Sequence, residues 1–467
     1  MPGSLGTASK KLMPEAESSV TPVRPRPASP SPARGWKFAW RALRRRNYRL
    51  FFSGQSVSLV GTWMTRVATS WLVYRLTKSA FLLGLVGFAG QIPILILGPI
   101  AGVWVDRWNR HRVLVATQVL SMLQSFALAV LALSGRITFW EIFVLSLFQG
   151  AVNAFDMPGR QAFVIEMVEA REDLPNAIAL NSSMVNASRL VGPSLAGIII
   201  AVAGEGYCFL IDGISYIAVI VSLLLMHLKP VPSKALAESV LTELKQGWEY
   251  VATFIPIRSI LLLLALVSLV GMPYTVLMPI FAGKILHGGP HTLGFLMGAV
   301  GMGALVGAVV LAQRESVIGL GRLIPLSAGI FGFGLMCFSL SRWFWLSLPL
   351  MVVTGYGFMQ QMAASNTILQ TIVEENKRGR VMSFYAMAFQ GAAPFGSLMA
   401  GAVASRIGAP KTLVIGGSLC VLGAFWFARQ LPRLRAVIRP IYLRLGIISE
   451  VAIGVQTASA LQTPPED

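Results

Sequence analysis

Twelve stretches of this chain are long and apolar enough to cross a membrane as helices, since about 20 apolar residues span the ~30 Å hydrocarbon core. They cover approximately residues 50–74, 80–105, 113–134, 137–157, 177–203, 206–228, 259–284, 291–313, 322–341, 343–370, 381–405 and 411–431. Inside lipid, backbone N–H and C=O groups must find partners within the segment, which restricts such a chain to a bundle of spanning helices. The predicted fold is therefore an all-α polytopic membrane protein with twelve transmembrane helices and both termini on one side.

The charges between the runs predict the orientation. If both termini are cytoplasmic, the connections on that side carry 30 Lys and Arg residues, and the connections on the other side carry 7. Because basic residues stay on the cytoplasmic side, we expect a multi-pass protein of the bacterial inner membrane with both termini in the cytoplasm. A net charge of +19 would suggest nucleic acid in a soluble chain, but here the basic residues lie where they meet anionic lipid. We expect membrane lipid but no nucleic acid as a partner, and a monomer.

The composition of the segments predicts the domain order. The N-terminal segment is rich in Pro, Ser and Arg and has no apolar core, which is typical of a disordered tail rather than a cleaved signal peptide. The predicted order is a disordered basic cytoplasmic tail, a six-helix bundle, a cytoplasmic linker, a second six-helix bundle and a cytoplasmic C-terminal tail, over residues 1–46, 47–228, 229–258, 259–431 and 432–467. The linker is expected to hold an amphipathic helix at 236–251. The C-terminal tail is either an amphipathic helix on the inner leaflet or disordered.

The two predicted bundles share a glycine pattern at a constant offset of 204 residues. In this pattern Gly192 and Gly197 of the fifth run, followed by Gly204, correspond to Gly396 and Gly401 of the eleventh run, followed by Gly408. Parallel repeats of this kind are a transporter design in which the substrate site lies at the bilayer midplane between the halves.

A charged turn between the second and third runs reads Gly102-x-x-x-Asp106-Arg107-x-x-Arg110-x-Arg112. In a chain of six plus six runs, this turn resembles the signature loop of the major facilitator superfamily. Asn109 stands where a glycine is usual, a departure that we expect to be tolerated because Asn also accepts positive φ. The resemblance covers about residues 47–430 and implies a transporter with two six-helix halves.

Further motifs resemble one branch of that superfamily, the enterobactin-exporter-like or transmembrane secretion effector permeases, which export siderophores and drugs. They are Phe52-x-Gly54-Gln55-x-x-Ser58-x-x-Gly61, Asn186-x-x-Arg189-x-x-Gly192-Pro193 and Asn366-x-x-x-Gln370 followed by Arg378-Gly-Arg380. The stretch from Gly192 and Pro193 to Gly197 also resembles a helix-packing motif of drug:proton antiporters, in which small residues and a proline permit close helix approach.

In this family the acid of the signature loop resembles a latch that docks on the other half when the cytoplasmic side closes. Unpaired amides at the start of the eleventh helix would attract the Asp106 carboxylate with about 0.3–1 kcal/mol. The predicted gate residues are Gly102, Asp106, Arg107, Arg110, Arg112, Arg378, Gly379 and Arg380. The alternative is a basic loop that only sets the topology. The counterpart loop in the second half, Gln313-Arg314-Glu315, lacks an acid at the matching place.

Ionisable side chains inside apolar runs are costly and therefore point to a cavity or to a buried partner. Arg66, Arg189 and Asp212 are predicted to line a substrate or proton cavity. The alternative for the two arginines is a structural ion pair with Asp212 or Asp156.

Other polar residues extend the predicted cavity. Asp156 is a candidate, although it could form a plain i,i+4 pair with Arg160 at the surface, and Glu166 is either a proton carrier or a solvated acid. The uncharged candidates are Gln55, Gln91, Gln149, Asn153, Asn186, Gln360, Gln361, Asn366 and Gln390.

No pattern indicates an enzyme. The chain has no P-loop, no HExxH and no nucleophile–base constellation, and its three cysteines lie far apart in apolar runs, so we expect no cofactor and no metal site. The predicted function is a secondary active transporter that exports a small amphipathic molecule, such as a siderophore or drug, by alternating access and proton antiport. The alternatives are a metabolite importer, a lysolipid flippase, or a non-transporting receptor or scaffold.

Overall fold

The structure, a computed structural model, describes residues 41–168, 171–227, 240–314 and 316–447. Within these ranges the chain forms helices and short connections, and twelve helical spans follow one another. Spans 1 to 12 are Arg46–Thr77, Ala80–Ala89 with Ile92–Arg107, Arg110–Leu133, Phe139–Met167, Leu174–Ala203, Glu205–Leu224, Ile255–Leu266 with its continuation to Ile285, Pro290–Ala312, Leu320–Leu340, Phe344–Ile372, Glu375–Ala386 with its continuation to Ile407, and Ala409–Arg444. The all-α polytopic prediction is confirmed.

Eight of the described helical stretches are long and apolar enough to cross a membrane by length and composition alone. They belong to spans 2, 3, 5, 6, 7, 8, 9 and 12. Spans 1, 4, 10 and 11 are also long, but they carry more polar side chains, including Arg66, Asp156, Gln361 and Gln390. A helix that turns one face to polar neighbours needs fewer apolar residues than a helix surrounded by lipid.

Spans 7 and 11 are not regular helices. Span 7 contains π-helical turns at Val267–Gly271 and Phe281–Ile285, and span 11 contains one at Met387–Gly391. The Ser268 hydroxyl in the first of these turns donates to the Phe389 carbonyl in the last. Such π turns interrupt the i→i−4 ladder and often mark functional positions in helices.

The end of the predicted N-terminal tail is ordered. A 3-10 turn at Arg41–Arg44 precedes span 1, and the Ala42 amide donates to Asn176 Oδ1 at 2.9 Å. Arg41 and Arg45 pair with the buried Asp173 at 2.6 and 3.1 Å. These contacts tie the entry of span 1 to the start of span 5. Residues 1–40 of the predicted tail lie outside the described residues.

A helix occupies Val240–Thr253 in the predicted linker, which we call the linker helix. It packs on the first turns of span 11, where the rings of Trp248 and Phe384 are 6.0 Å apart and the Lys377 ammonium lies 4.6 Å from the centre of the Tyr250 ring. Residues 228–239 and the side chains of 240–246 are outside the described part.

The last span is longer than predicted. Its helix does not end at residue 431 but continues without a break to Arg444, although Pro432 and Pro440 lie inside it. The first residues of the predicted C-terminal tail therefore extend span 12, and residues 448–467 are not among those described.

The glycine repeat of the sequence is also a repeat of the structure. Gly204 and Gly408 have φ values of 93° and 89° and begin spans 6 and 12 in the same way. Span 5 of the first half packs on span 8 of the second half, and span 11 of the second half packs on span 2 of the first. Equivalent helices of the two halves therefore make equivalent contacts. The internal repeat is thus matched by a pseudo-symmetric interface between the halves.

Glycines let the two halves approach closely on one side. A Cβ added at Gly197 would lie 3.0 Å from the Cα of Gly294, and one at Gly401 would lie 2.9 Å from the Cα of Gly84. We call the side that carries both described chain ends the terminal side and the opposite side the distal side. Both glycine pairs lie in the distal halves of their spans, as does the contact of Phe88 with Phe395.

Candidate substrate cavity and gate

Two arginines meet over one aromatic ring at mid-depth of the bundle. The Arg66 guanidinium of span 1 lies 4.7 Å from the centre of the Trp63 ring, and that of Arg189 in span 5 lies 5.3 Å from it. Arg189 is near the middle of its 30-residue helix. Arg66 is exposed although it lies well inside span 1, so its side chain is not enclosed in the packed interior.

Neither arginine has a carboxylate partner among the described residues. Asp156 pairs instead with Arg160, and Asp212 accepts hydrogen bonds from hydroxyl groups. Arg189 Nε is buried and has no hydrogen-bond partner. The described residues therefore do not form the alternative, a structural ion pair between one of these arginines and Asp212 or Asp156.

This arginine group lies where the halves meet. Gly301 of span 8 packs on the backbone of Arg189, with a Cβ position only 2.6 Å from the Arg189 carbonyl oxygen. Tyr274 of span 7 is buried and close enough to Arg189 for an electrostatic interaction. On the first half, Gly192 packs on span 1 beside Trp63. The predicted packing motif thus brings span 5 against span 1 at this point.

Asp212 lies in a separate cage of hydroxyl groups. Its Oδ2 accepts from Thr65 Oγ1 at 2.8 Å and from Ser125 Oγ at 2.9 Å, and its Oδ1 is buried without a partner. The side chain is 1% exposed, and none of the ion pairs among the described residues involves it. Because hydroxyl groups donate and accept equally well, this cage can hold either protonation state of the carboxyl group.

Asp156 belongs to a network inside the first half. It accepts from Thr117 Oγ1 at 3.0 Å and from Gln118 Nε2 at 2.7 Å, and it pairs with Arg160. Gln55 lies beside Gln118 and Arg160 at the same place. The i,i+4 pair with Arg160 is present, but it is largely buried rather than at the surface. Thr117 and Gln118 were not among the residues predicted from the sequence, and only the fold brings them to Asp156.

The other predicted amides are placed variously. Gln149 donates to Ser121 at 3.0 Å and to Asn153 at 3.2 Å, and both amides are half-buried. Asn186, Gln91 and Gln360 donate to backbone carbonyls of Ser182, Gly87 and Gly307. Asn366 accepts from Gln370, and Gln390 is half-buried in the π turn of span 11. Gln361 differs from all of these, since its amide is fully buried and has no partner on either atom.

The predicted gate loop is a tight connection between spans 2 and 3. Asn109 begins span 3 as its N-cap, with Oδ1 accepting from the Arg112 amide at 3.1 Å. Its φ is −66°, so the expectation that Asn109 replaces a glycine through positive φ is wrong, and the residue acts as a cap instead. Arg110 pairs with Glu166 at 2.7 Å, while Arg107 and Arg112 are exposed. The Asp106 side chain and Glu315 lie outside the described residues.

The glycines on the two sides of the predicted latch have open space beside them. Among the described residues, neither Gly102 nor Gly379 has a neighbouring atom within 4 Å of the position that a Cβ would take. Arg378 is exposed and Arg380 is half-buried in the first turns of span 11. Just before them, Glu374 and Lys377 pair at 2.9 Å, and the hydrogen bond from Lys377 lowers the pKa of Glu374.

A second cavity opens on the distal side between the halves. Its volume is about 910 Å³, and it is lined by residues of both halves, among them Lys78, Lys284, His287 and Arg342. No Asp or Glu is among the described residues that line it. Lys78, His287 and Arg342 lie in three connections and Lys284 in the last turn of span 7, so nothing in the local sequence pattern links them.

The chain resembles known transporters over most of its length. The family described as "transmembrane secretion effector" matches residues 37–439. The staphyloferrin A transporter of Staphylococcus aureus is 27% identical over 394 residues, which cover 83% of this chain and 97% of that protein. The multidrug efflux pump Tap of Mycolicibacterium fortuitum is 28% identical over 388 residues, which cover 80% and 93%.

A solved structure shares the fold. It is a bacterial homolog of the human lysosomal transporter Spinster in an inward-facing and occupied conformation, 12% identical, with a TM-score of 0.66 over 83% of this chain and 96% of that one. The match over residues 37–439 includes all of spans 1 to 11 and nearly all of span 12. The chain therefore belongs to the transmembrane secretion effector family of the major facilitator superfamily, and it is a multi-pass membrane transporter rather than an enzyme.

Proposed function

We propose that this transporter exports a small amphipathic molecule, such as a siderophore or a drug, by alternating access. The observation that carries the proposal is the group of Arg66, Arg189 and Trp63, an unpaired polar site at mid-depth where the halves meet. In transporters built from repeats, the substrate site lies at this depth and the halves rock about it.

The packing of the halves supports a state that is open to the terminal side. Gly84 against Gly401 and Gly197 against Gly294 close the distal side. On the terminal side, the described residues place no atom within 4 Å of the Cβ positions of Gly102 and Gly379, which fits a gate that is not closed there. A substrate would then enter from the terminal side and leave through the distal one after the halves rock.

The orientation and the relatives support export. With the excess of Lys and Arg on the terminal side, we infer that this side is cytoplasmic and that the protein resides in the bacterial inner membrane. The relatives named above are a siderophore transporter and a drug efflux pump. We also infer that the protein works as a monomer surrounded by lipid.

We infer that inward proton movement drives export and that Asp212 carries the proton. It is a buried carboxyl group without a cation, held by Thr65 and Ser125 near the arginine group. Asp156 is less suited, because Arg160 and two further donors already engage its carboxylate. Glu166 is engaged by Arg110.

Flux measurements on purified protein test the proposal. Proteoliposomes are loaded with acidic buffer to create a pH gradient, or with neutral buffer to leave it out. Fluorescent amphipathic molecules of negative, zero and positive charge are then added, and protein-free liposomes are the control. We expect at least one compound to move against its gradient, in exchange for protons, only when a pH gradient is present.

The other outcomes separate the alternatives. Movement of a compound together with protons, in the same direction across the membrane, would indicate an importer. Transfer of labelled lysolipid between leaflets would indicate a flippase. Absence of flux for every compound, from protein that still binds one of them, would indicate a receptor or scaffold and would overturn the proposal.

A further inference from the structure

We propose that the cavity selects a substrate with at least two negative charges, such as an amphipathic dicarboxylate. This inference rests on the proposed function for the path that the substrate takes, but the binding selectivity can be measured without any transport. The inference concerns the same group of Arg66, Arg189 and Trp63, and it specifies the charge of the ligand that this group binds.

The first argument is the missing counter-charge. Two guanidinium groups lie 4.7 and 5.3 Å from the centre of one indole ring, so two positive charges share a small volume at mid-depth. Charges at this depth are costly unless they are paired. Since no described carboxylate pairs with Arg66 or Arg189, and Arg189 Nε has no hydrogen-bond partner, the protein leaves this charge for a ligand to compensate.

The second argument is the geometry of the side chains. Arginine presents a planar fork of N–H donors that matches the two oxygens of a carboxylate, which a single ammonium group does not. Trp63 orients both forks through cation–π contacts, so they are held ready before the ligand arrives. A substrate with two carboxylates could engage one fork with each, while its apolar part packs beside the indole ring.

The third argument is that the nearby acids are already engaged. Asp212 is 1% exposed and turned into its hydroxyl cage, and Asp156 is 6% exposed and paired with Arg160. Neither carboxylate is available to attract a cationic drug into the cavity. A lipophilic cation would therefore meet two positive charges without a compensating negative one.

The distal cavity gives independent support. Three basic residues at the distal ends of the spans and in the distal connections, Lys78, Lys284 and Arg342, line this one space together with His287. Its described lining has no acid, and residues of both halves contribute to it. An anion that leaves the arginine group on the distal side would next meet a second concentration of positive charge.

Binding to purified protein in detergent tests the charge selectivity by isothermal titration calorimetry. The probes are phthalate, an aromatic dicarboxylate, its neutral dimethyl ester, the monoanion benzoate and the lipophilic cation tetraphenylphosphonium. We expect the affinity to fall in the order phthalate, benzoate, dimethyl ester, with no binding of the cation at the arginine group.

The variants R66Q and R189Q identify the site. Each should weaken phthalate binding tenfold or more, whereas R136Q, which removes an exposed arginine in the connection between spans 3 and 4, should leave it unchanged. The variants R66K and R189K keep the positive charge but lose the planar guanidinium donors, so each should bind phthalate more tightly than the corresponding Gln variant and less tightly than the wild type. This comparison separates loss of charge from loss of fold.

Several results would overturn the inference. They are equal affinity for phthalate and its dimethyl ester, no phthalate binding at all, unchanged binding by R66Q and R189Q, or tight binding of tetraphenylphosphonium by the wild-type protein. Gradient-driven export of a cation would refute the inference and leave the proposed function standing. Phthalate binding without flux of any compound would refute the proposed function and leave the inference standing.

Discussion

Two aspartates that look alike in the sequence have different surroundings in the structure. Asp156 is engaged by Arg160, Thr117 and Gln118 inside the first half. Among the described residues, Asp212 accepts hydrogen bonds from two hydroxyl groups and keeps one oxygen without a partner. The two acids therefore differ in whether a cation accompanies the buried carboxyl group.

At Asp212 we expect the change D212N to abolish proton coupling. The amide has the same shape and can still bond to Thr65 and Ser125, but it cannot release a proton. Transport driven by a pH gradient should be lost, while exchange of labelled for unlabelled substrate across the membrane should continue. The control is E249Q, which changes an exposed carboxylate on the linker helix. Full gradient-driven transport by D212N would exclude this residue as the proton carrier.

At Asp106 we expect the change D106N to weaken the closed cytoplasmic gate. A carboxylate at the N-terminus of a helix contributes about 0.3–1 kcal/mol, and the amide keeps the size but loses the charge. Transport should therefore fall by a few-fold while the amount of protein in the membrane stays the same. Transport kinetics identical to wild type would contradict the latch. The control is R136Q, which alters an exposed arginine in the connection between spans 3 and 4, outside the predicted gate.

On the scale of whole helices, glycine contacts hold the distal side together. Span 2 meets span 11 through Gly84 and Gly401, where an added Cβ would lie within 3 Å of backbone atoms of the partner helix. Backbone cannot move aside as a flexible side chain can. The helices approach this closely only because small residues leave room for it.

We expect G401A to push spans 2 and 11 apart and G98A to be harmless. Overpacking at a close contact costs about 1–3 kcal/mol, whereas Gly to Ala at an open helical position is neutral or stabilising by up to ~1 kcal/mol. Gly98 lies in span 2 with no atom within 4 Å of its Cβ position, so it is a matched control. Thermal unfolding in detergent should show a lower midpoint for G401A only. Equal midpoints would mean that the contact does not stabilise this state.

The π turns of spans 7 and 11 are the other feature at this scale. A hydrogen bond from the Ser268 hydroxyl to the Phe389 carbonyl joins one turn of span 7 to the turn of span 11. The turns Val267–Gly271 and Met387–Gly391 are apolar apart from Ser268, Gln390 and their glycines, a composition that does not by itself distinguish a π turn from a regular helix.

For the whole molecule, the arrangement of the halves predicts a difference in access. Gly102 and Gly379 have open space around them on the terminal side, while Gly84 is enclosed on the distal side. We expect G102C and G379C to react readily with a membrane-impermeant maleimide added from the cytoplasmic side, and G84C to react slowly. The native cysteines are buried or half-buried, so a wild-type control reports their background. Rapid labelling of G84C from the outside, with G102C protected, would show the opposite state.

Cysteines at positions 102 and 379 can also report whether the two halves come together on the terminal side during transport. If the halves rock during transport, the double variant G102C/G379C should form a disulfide more readily when a transported substrate is present than when it is absent. The single variants are the controls for intermolecular links. A cross-linking rate that does not respond to substrate would contradict movement of the two halves at this gate.

By itself the sequence determined the number and type of elements, because a run of about 20 apolar residues in lipid has to satisfy its own backbone and becomes a helix wherever it occurs. It also pointed to the gate loop, the glycine repeat, and Arg66 and Arg189, since motifs and costly charges are local features of the chain.

Only the tertiary structure decided which helix faces meet. Three features depend on contacts between distant segments: Arg66 and Arg189 share Trp63, Asp156 is engaged by Thr117 and Gln118, and basic residues of both halves line one distal cavity. Lipid treats every apolar face alike, so hydropathy cannot choose between them. The choice is made by close packing, such as Gly84 on Gly401, which exists only when the helices come together.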